Sequence, residues 1–109
     1  MPFPCNIFAD IPRNLPEELI TVLANSAAVR IERIVSEGHA SPDGFWYDQL
    51  QDEFVILLQG AAHIRLEGMN QLAELVPGDY LSIPAHTRHR VEWTAPDGPT
   101  VWLAVHFTA

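Results

Sequence analysis

Two of the five histidines in the chain stand three residues apart in the segment PAHTRHRVEW (84–93). Histidine binds divalent metal ions and carries protons near neutral pH, so His86 and His89 are candidates for either chemistry. Arg88 and Arg90 flank His89 and could orient a carboxylate. Metal coordination is one interpretation of this segment, and the polar rim of an ordinary β-hairpin is the other.

A candidate acidic partner stands upstream. Glu53 opens the apolar run EFVILLQ (53–59), where a buried carboxylate needs a metal ion, an arginine or a histidine as its partner. Just before it, Tyr47, Asp48 and Gln49 offer a phenol, a carboxylate and an amide oxygen. Tyr47 and Gln49 share a face if the segment is extended, whereas Asp48 is chemically the better ligand. The turn LQD (50–52) interrupts the alternation, so any residue of 46–49 stays open as a third ligand.

Several other chemistries are disfavoured. Cys5 is the only cysteine, which excludes an intramolecular disulfide and a paired-cysteine metal site and favours a reducing compartment. The sequence has neither a phosphate-binding P-loop nor the G-x-S-x-G motif of serine hydrolases. No residue is therefore assigned a catalytic role.

The composition predicts one globular domain. The chain has 109 residues, of which 48% are hydrophobic and 18% charged, and its formal net charge is -8. An acidic chain repels phosphate backbones, so we expect no nucleic-acid partner. It lacks an apolar stretch of about 20 residues and the pattern of a signal peptide, so we expect no membrane association and a cytoplasmic location.

The pattern of elements predicts an all-β protein with one short N-terminal helix. Asn14, Pro16 and Glu17 suit a helix start, and leucines at four-residue spacing suggest a helix over 14–26. We expect residues 1–28 to form an arm with this helix and residues 29–109 to form a barrel. Short apolar segments separated by Gly/Pro turns predict strands at 29–36, 53–59, 61–67, 72–76, 80–84, 89–93 and 100–107.

Two spaced motifs resemble those of small single-domain cupins of the cupin-2 type, within a bacterial group that has no assigned activity. The first motif, G-x5-H-x-H-x3,4-E-x6-G, is matched in its second half by Glu53 and Gly60. The second, G-x5-P-x-G-x2-H-x3-N, is matched by Gly78, Pro84 and His89. The resemblance covers about residues 29–107 and implies a double-stranded β-helix, the cupin jelly roll.

The resemblance also implies a site inside the barrel, from which this sequence departs. Family members with the full motif bind a divalent ion through three histidines and a glutamate. Here Glu53 and His89 hold ligand positions, and either Tyr47 and Gln49 or Trp46 and Asp48 replace the first two histidines, depending on spacing. The predicted metal ligands are therefore Gln49, Glu53, His89 and Tyr47, and the ion would be Fe, Mn, Ni or Zn.

Three further residues are predicted to belong to the pocket. His86 replaces the usual glycine of the second motif and should lie at the mouth, while Asp48 is the alternative ligand. Trp93 replaces the usual asparagine and shares the alternation of His89, so it should narrow the same cavity. Among the other histidines, His63 should face outward, and His106 should be structural.

Three functions follow from these features. The first is a cupin that binds a small molecule, and also a divalent metal ion if a third ligand is present. The second is a metal-dependent enzyme, oxygenase or isomerase-like, acting on a small polar substrate. The third is a metal-free barrel used for assembly, and edge strands that remain unpaired would favour a homodimer.

Overall fold

The computed structural model describes residues 3–108, which form eight β-strands and no helix. The motif-containing strands are β3, which begins with Asp52 and Glu53, and β7, which begins at His89. The strands are β1 Leu19–Asn25, β2 Val29–Ser36, β3 Asp52–Gln59, β4 Ala62–Leu66, β5 Ala73–Leu75, β6 Tyr80–Ile83, β7 His89–Thr94 and β8 Thr100–Phe107.

The strands form two sheets of unequal size. The larger sheet has the order β1-β2-β8-β3-β6, and the smaller has the order β5-β4-β7. The paired strands run antiparallel in both sheets. Since β8 lies between β2 and β3, the row of paired residues Arg30, His106, Glu53 and Ile83 crosses the larger sheet near the ends of these strands.

The sheets pack face to face around an apolar core. Its buried members come from both sheets: Val55, Leu57, Ala62, Ile64, Leu75, Ile83, Trp102 and Ala104. Strands β3, β4 and β8 contribute alternate residues to this core, as expected when one face of a sheet is buried. Four of these core residues, Val55, Ile64, Ile83 and Trp102, also line a cavity that contains polar side chains.

The helix predicted over 14–26 is wrong. Residues 13–14 and 16–17 form bends, and residues 19–25 form β1. The leucine spacing coincides with helical periodicity, but Ile20, Thr21 and Val22 are β-branched and favour a strand. Strand β2 supplies the backbone partners for β1, and the bond from Ser26 N–H to the Val29 carbonyl (2.7 Å) closes the hairpin.

The expected strands are present, and the all-β prediction is confirmed. Strand β1 lies inside the segment expected to be an arm and belongs to the larger sheet. Ahead of it, the carbonyls of Ile7 and Ala9 accept hydrogen bonds from the Arg33 guanidinium at 3.1 and 2.7 Å, which fixes residues 7–9 on the sheet.

Within residues 3–108 there is no helix long and apolar enough to cross a membrane.

Candidate functional site

The candidate site is a cavity of about 170 Å³ between the two sheets. Its apolar wall consists of aliphatic side chains and the indole of Trp102. Its polar groups come from the larger sheet, from β7 and from the segments that precede β1 and β3. The polar and aromatic lining residues are Glu18, Arg30, Glu32, Tyr47, Gln49, Glu53, His89, Trp102 and His106.

Glu53 and His89 face each other across this cavity. The Nε2 atom of His89 lies 3.4 Å from Oε1 of Glu53, and both side chains are nearly fully buried. Nδ1–H of His89 donates a hydrogen bond to the Thr87 carbonyl at 2.9 Å, which turns Nε2 toward the carboxylate. Oε1 of Glu53 has no hydrogen-bond partner among residues 3–108. A buried oxygen without a partner is costly, so a donor that enters the cavity beside the two side chains would be stabilising.

The surroundings of His89 favour its protonated form. Burial lowers the pKa of the imidazole, but the contact with Glu53, the Thr87 carbonyl and the charge of Glu53 outweigh that effect. The net result is a pKa above 6.5. The 3.4 Å separation is longer than a good charge-assisted hydrogen bond, so the contact is a long ion pair, and both groups can still bond to a ligand that lies beside them in the cavity.

Residues 46–49 replace the missing first-motif histidines and lie against β7. Tyr47 and His89 exchange two backbone hydrogen bonds, of 2.7 and 3.1 Å, and their rings stack with centroids 5.3 Å apart. Because side chains alternate, this bridge directs Tyr47 and Gln49 into the cavity. Burial, together with the charges of Glu18 and Glu53 and a hydrogen bond to Glu18, raises the pKa of Tyr47 to about 12. The phenol is therefore protonated at neutral pH.

Asp48 and His86 were both predicted as pocket residues, with His86 at the mouth, and neither is among the residues that line the cavity. Nδ1 of His86 lies 2.8 Å from Oδ1 of Asp48, and both side chains are exposed. His86 has a φ of +62°, in the left-handed region that glycine adopts most easily. This explains why glycine is usual at the position, and the same turn points the histidine toward solvent.

Trp93 also lies outside the cavity, because strand β7 contains a β-bulge. His63 pairs with Trp93 and the next residue, Ile64, pairs with Val91, so one extra residue separates the pairs on β7. The bulge reverses the alternation beyond Val91. Trp93 therefore shares the outward face with His63, at a ring distance of 4.6 Å, and is 39% exposed.

The arginines beside His89 hold loops and do not line the cavity. The guanidinium of Arg90 donates hydrogen bonds to the carbonyls of Ser41 (3.0 Å), Pro42 (3.2 Å) and Phe45 (3.4 Å). Arg88 pairs with Glu67 at 2.8 Å on the surface. These contacts fix the loop that leads into Tyr47, so Arg90 positions the site indirectly.

A second histidine–carboxylate pair in the cavity was missed by the sequence analysis. Nε2 of His106, which was expected to be structural, lies 3.2 Å from Oε1 of Glu32, and both side chains are buried. Nε of Arg30 donates to the other oxygen of Glu32 at 2.7 Å. The available signal was the alternation of β2, which places Arg30 and Glu32 on one face, but alternation alone does not identify the inner face.

A further polar chain supports the wall on the side of β1. The indole N–H of Trp102 donates to Oγ of Ser36 at 3.2 Å, and that hydroxyl donates to Oε2 of Glu18 at 3.3 Å. Glu18 therefore accepts a hydrogen bond from Ser36, and its charge acts on the Tyr47 phenol. Its carboxylate is held in place beside the cavity.

The side chains that line the cavity do not form a complete binding site for a metal ion. Among residues 3–108 no group of three or more His, Cys, Asp or Glu side chains is arranged to hold a metal ion. Glu53 and His89 converge, but a catalytic ion usually has three protein ligands. A protonated Tyr47 is a poor ligand, which leaves the neutral amide of Gln49 as the remaining candidate.

Comparison with known proteins identifies the fold and one close relative. The Cupin domain family (Cupin_2) matches residues 34–106. The chain is 50% identical to a Ralstonia eutropha JMP134 protein named "putative mannose-6-phosphate isomerase", with a TM-score of 0.96, covering 99% of this chain and 100% of that one.

More distant solved structures share the architecture. A cupin superfamily protein of Desulfitobacterium hafniense DCB-2 is 26% identical with a TM-score of 0.73, covering 91% of this chain and 84% of that one. A cupin domain of Bordetella pertussis is 18% identical with a TM-score of 0.65, covering 86% and 96%. Among curated proteins, none matches the chain.

Proposed function

The chain belongs to the cupin domain family, and from that premise we propose that its cavity binds a small, uncharged, hydroxyl-bearing molecule. One observation carries the proposal. Oε1 of Glu53 is buried, faces Nε2 of His89 at 3.4 Å and has no hydrogen-bond partner among the described residues. A ligand hydroxyl placed there would donate to the carboxylate and accept from the protonated imidazole, which would satisfy both groups.

The size of the cavity supports a small ligand. Sites for drug-sized molecules have volumes of about 300–1,000 Å³, whereas this cavity measures about 170 Å³. Its wall is largely aliphatic, with Ile34, Val55 and Ile64 among the lining residues, so the carbon skeleton of a ligand would be desolvated. A short carbon chain bearing a few hydroxyl or carbonyl groups fits both properties.

The charge of the cavity supports an uncharged ligand. Three carboxylates, those of Glu18, Glu32 and Glu53, line it, and Arg30 is the one arginine among the lining residues. Glu32 already engages Arg30 at 2.7 Å. A phosphate would meet excess negative charge without the free, bidentate cations that phosphate sites use.

A second candidate function is isomerase-like catalysis on a small hydroxy-carbonyl compound. The relative named for a mannose-6-phosphate isomerase, at 50% identity, favours this candidate. The cavity supports it with two histidine–carboxylate pairs, which are the kind of groups that move protons to and from carbon and oxygen. The anionic lining argues for an unphosphorylated substrate in this chain.

Divalent-metal binding remains a third candidate, supported by the unpaired Glu53 oxygen beside His89. Gln49 would have to be the third ligand. If an ion binds tightly, the protein purified without chelator should contain stoichiometric Fe, Mn, Ni or Zn by elemental analysis. That metal should be lost in Glu53→Gln and in His89→Ala, and its presence would replace the metal-free proposal.

The test of the principal proposal is a thermal-shift panel with the chelator-treated protein. We expect neutral polyols and hydroxy-carbonyls, with glycerol, erythritol and glyceraldehyde as probes, to raise Tm, because ligand binding stabilises only the folded state. Their phosphate esters should not. Glu53→Gln should abolish the shift, whereas Glu74→Gln, which changes a carboxylate that is 75% exposed on β5, should preserve it. Equal shifts in both variants would refute the role of Glu53.

A further inference from the structure

The second histidine–carboxylate pair differs from the first in the ring nitrogen that it uses. In His106, Nε2 lies 3.2 Å from Glu32, so Nε2–H donates to the carboxylate and Nδ1 is the nitrogen left for a ligand. Nδ1 makes no hydrogen bond with the residues that the structure describes. In His89 the roles are reversed, since Nδ1–H donates to Thr87 and Nε2 faces Glu53.

Glu32 holds His106 firmly. One of its carboxylate oxygens accepts from His106 and the other accepts from Nε of Arg30 at 2.7 Å. With both oxygens engaged, Glu32 is available as an anchor and not as a ligand-binding group. The pairing fixes the orientation of the His106 ring, which belongs to the cavity lining, and leaves Nδ1 as the nitrogen that can accept a hydrogen bond.

The sheet register brings this acceptor next to Glu53. Glu53 on β3 is the cross-strand partner of His106 on β8. The Cβ atoms of such partners lie about 4.5–5.5 Å apart, on the same face of the sheet. Both side chains therefore line the same region of the cavity, where the free Glu53 oxygen and His106 Nδ1 are two acceptors for hydroxyl groups on one short carbon chain.

We propose that His106, oriented by Glu32 and Arg30, forms a second subsite, and that the cavity selects small diols over mono-alcohols by accepting one hydroxyl hydrogen at Glu53 and another at His106. This inference rests on the proposed function, since it concerns the same cavity. It narrows the ligand class to unphosphorylated compounds with at least two hydroxyl groups. His106 is thereby a binding residue outside both family motifs.

The experiment compares 1,2-propanediol with 1-propanol by NMR titration of the chelator-treated protein. The two probes share a carbon skeleton and differ by one hydroxyl. The wild type should bind the diol about fivefold more tightly, the effect of one additional neutral hydrogen bond. In His106→Phe this preference should disappear, while His63→Phe, which changes a histidine on the outward face of β4, should keep it.

A measurement on the wild type covers the case in which His106→Phe does not fold. In protein labelled with ¹⁵N-histidine, 1,2-propanediol should shift the His106 Nδ1 resonance, and 1-propanol should leave it unchanged. A wild type that binds both probes equally without moving that resonance would overturn the subsite and leave the proposed function intact. A wild type that binds neither these probes nor the polyols of the thermal-shift panel would overturn both.

Discussion

At the residue scale, the cavity combines two histidine–carboxylate pairs with different hydrogen-bonding states. Glu32 is saturated by His106 and Arg30, whereas Glu53 keeps an unpartnered oxygen beside His89. A carboxylate with both oxygens hydrogen-bonded fixes the orientation of its histidine. A carboxylate with an unpartnered oxygen can accept a hydrogen bond from a ligand. This difference assigns the two pairs distinct roles in one site.

The first prediction concerns the pH dependence of stability. Because the pKa of His89 is raised above 6.5 in the folded protein, its interaction with Glu53 stabilises the fold below that pH. The stabilisation is lost as pH rises through the folded-state pKa. The difference in the free energy of unfolding between wild type and Glu53→Gln should therefore be larger at about pH 5.5 than at about pH 8.5, on either side of the usual histidine range.

Urea denaturation at the two pH values measures this difference. Glu74→Gln is the matched control, since its carboxylate lies on the surface 3.8 Å from His63. A Glu53→Gln difference that does not change with pH would show that the ion pair with His89 does not form.

The second prediction concerns Tyr47. Its pKa of about 12, against an ordinary 10, means that the folded protein holds the phenolic proton more tightly than the unfolded chain does. The wild type should therefore lose stability between pH 10 and pH 12, by on the order of 2 kcal/mol. Tyr47→Phe should lack this loss in chemical denaturation over the same range. An identical alkaline loss in both proteins would contradict the buried, protonated phenol.

The sequence was informative about individual residues where motif spacing was preserved. Glu53 and His89 line the cavity at their motif positions, and Tyr47 and Gln49, one of the two alternatives that the spacing left open, line it too. The sequence did not identify His106 as a cavity residue, because its position in the site depends on which strands flank β8. The alternation of residues along a strand does not show which face of the strand is buried. The register that pairs His106 with Glu53 is a tertiary feature, and it makes this histidine part of the site.

At the element scale, a bulge and a tight turn determine what reaches the cavity. The bulge in β7 turns Trp93 outward and keeps Val91 in the cavity lining. No residue type marks that bulge in the sequence, so simple alternation misplaced Trp93. Strand β1 was misassigned for a related reason: its leucine spacing suits a helix, and the partner strand that stabilises it is a tertiary feature.

The turn after β3 gives the third prediction. Gly60 has a φ of +90°, and a Cβ atom there would lie 2.8 Å from Cα of Thr100, which is backbone. Gly68 has a φ of +86°, but a Cβ there would meet nothing within 4 Å. Gly60→Ala should therefore destabilise the protein by more than about 3 kcal/mol, and Gly68→Ala by about 1 kcal/mol from backbone strain alone.

Thermal or urea unfolding of the two glycine variants provides the comparison. Both substitutions add the same methyl group at a positive φ, so the difference between them isolates the clash at Thr100. Equal destabilisation would mean that the β3–β4 turn can move away from β8.

At the scale of the whole molecule, the unequal sheets leave apolar surface at β1. This edge strand contains no charged residue, and Ile20, Val22 and Leu23 are each about half exposed. We propose that two copies pair through β1, since an uncharged edge can associate despite a net charge of -8. Sedimentation should give a dimer for the wild type and a monomer for Val22→Lys, and a monomeric wild type would refute the pairing.

The central claim is that a metal-free cavity binds a small uncharged polyol through Glu53 and His89. Isothermal titration of the chelator-treated protein with glycerol, beside glycerol phosphate, tests it most directly. The account predicts saturable binding of glycerol, no binding of the phosphate, and an affinity at least about tenfold weaker in Glu53→Gln, as expected for a hydrogen bond to a charged group. Binding that requires added Fe, Mn, Ni or Zn, or that favours the phosphate, would contradict it.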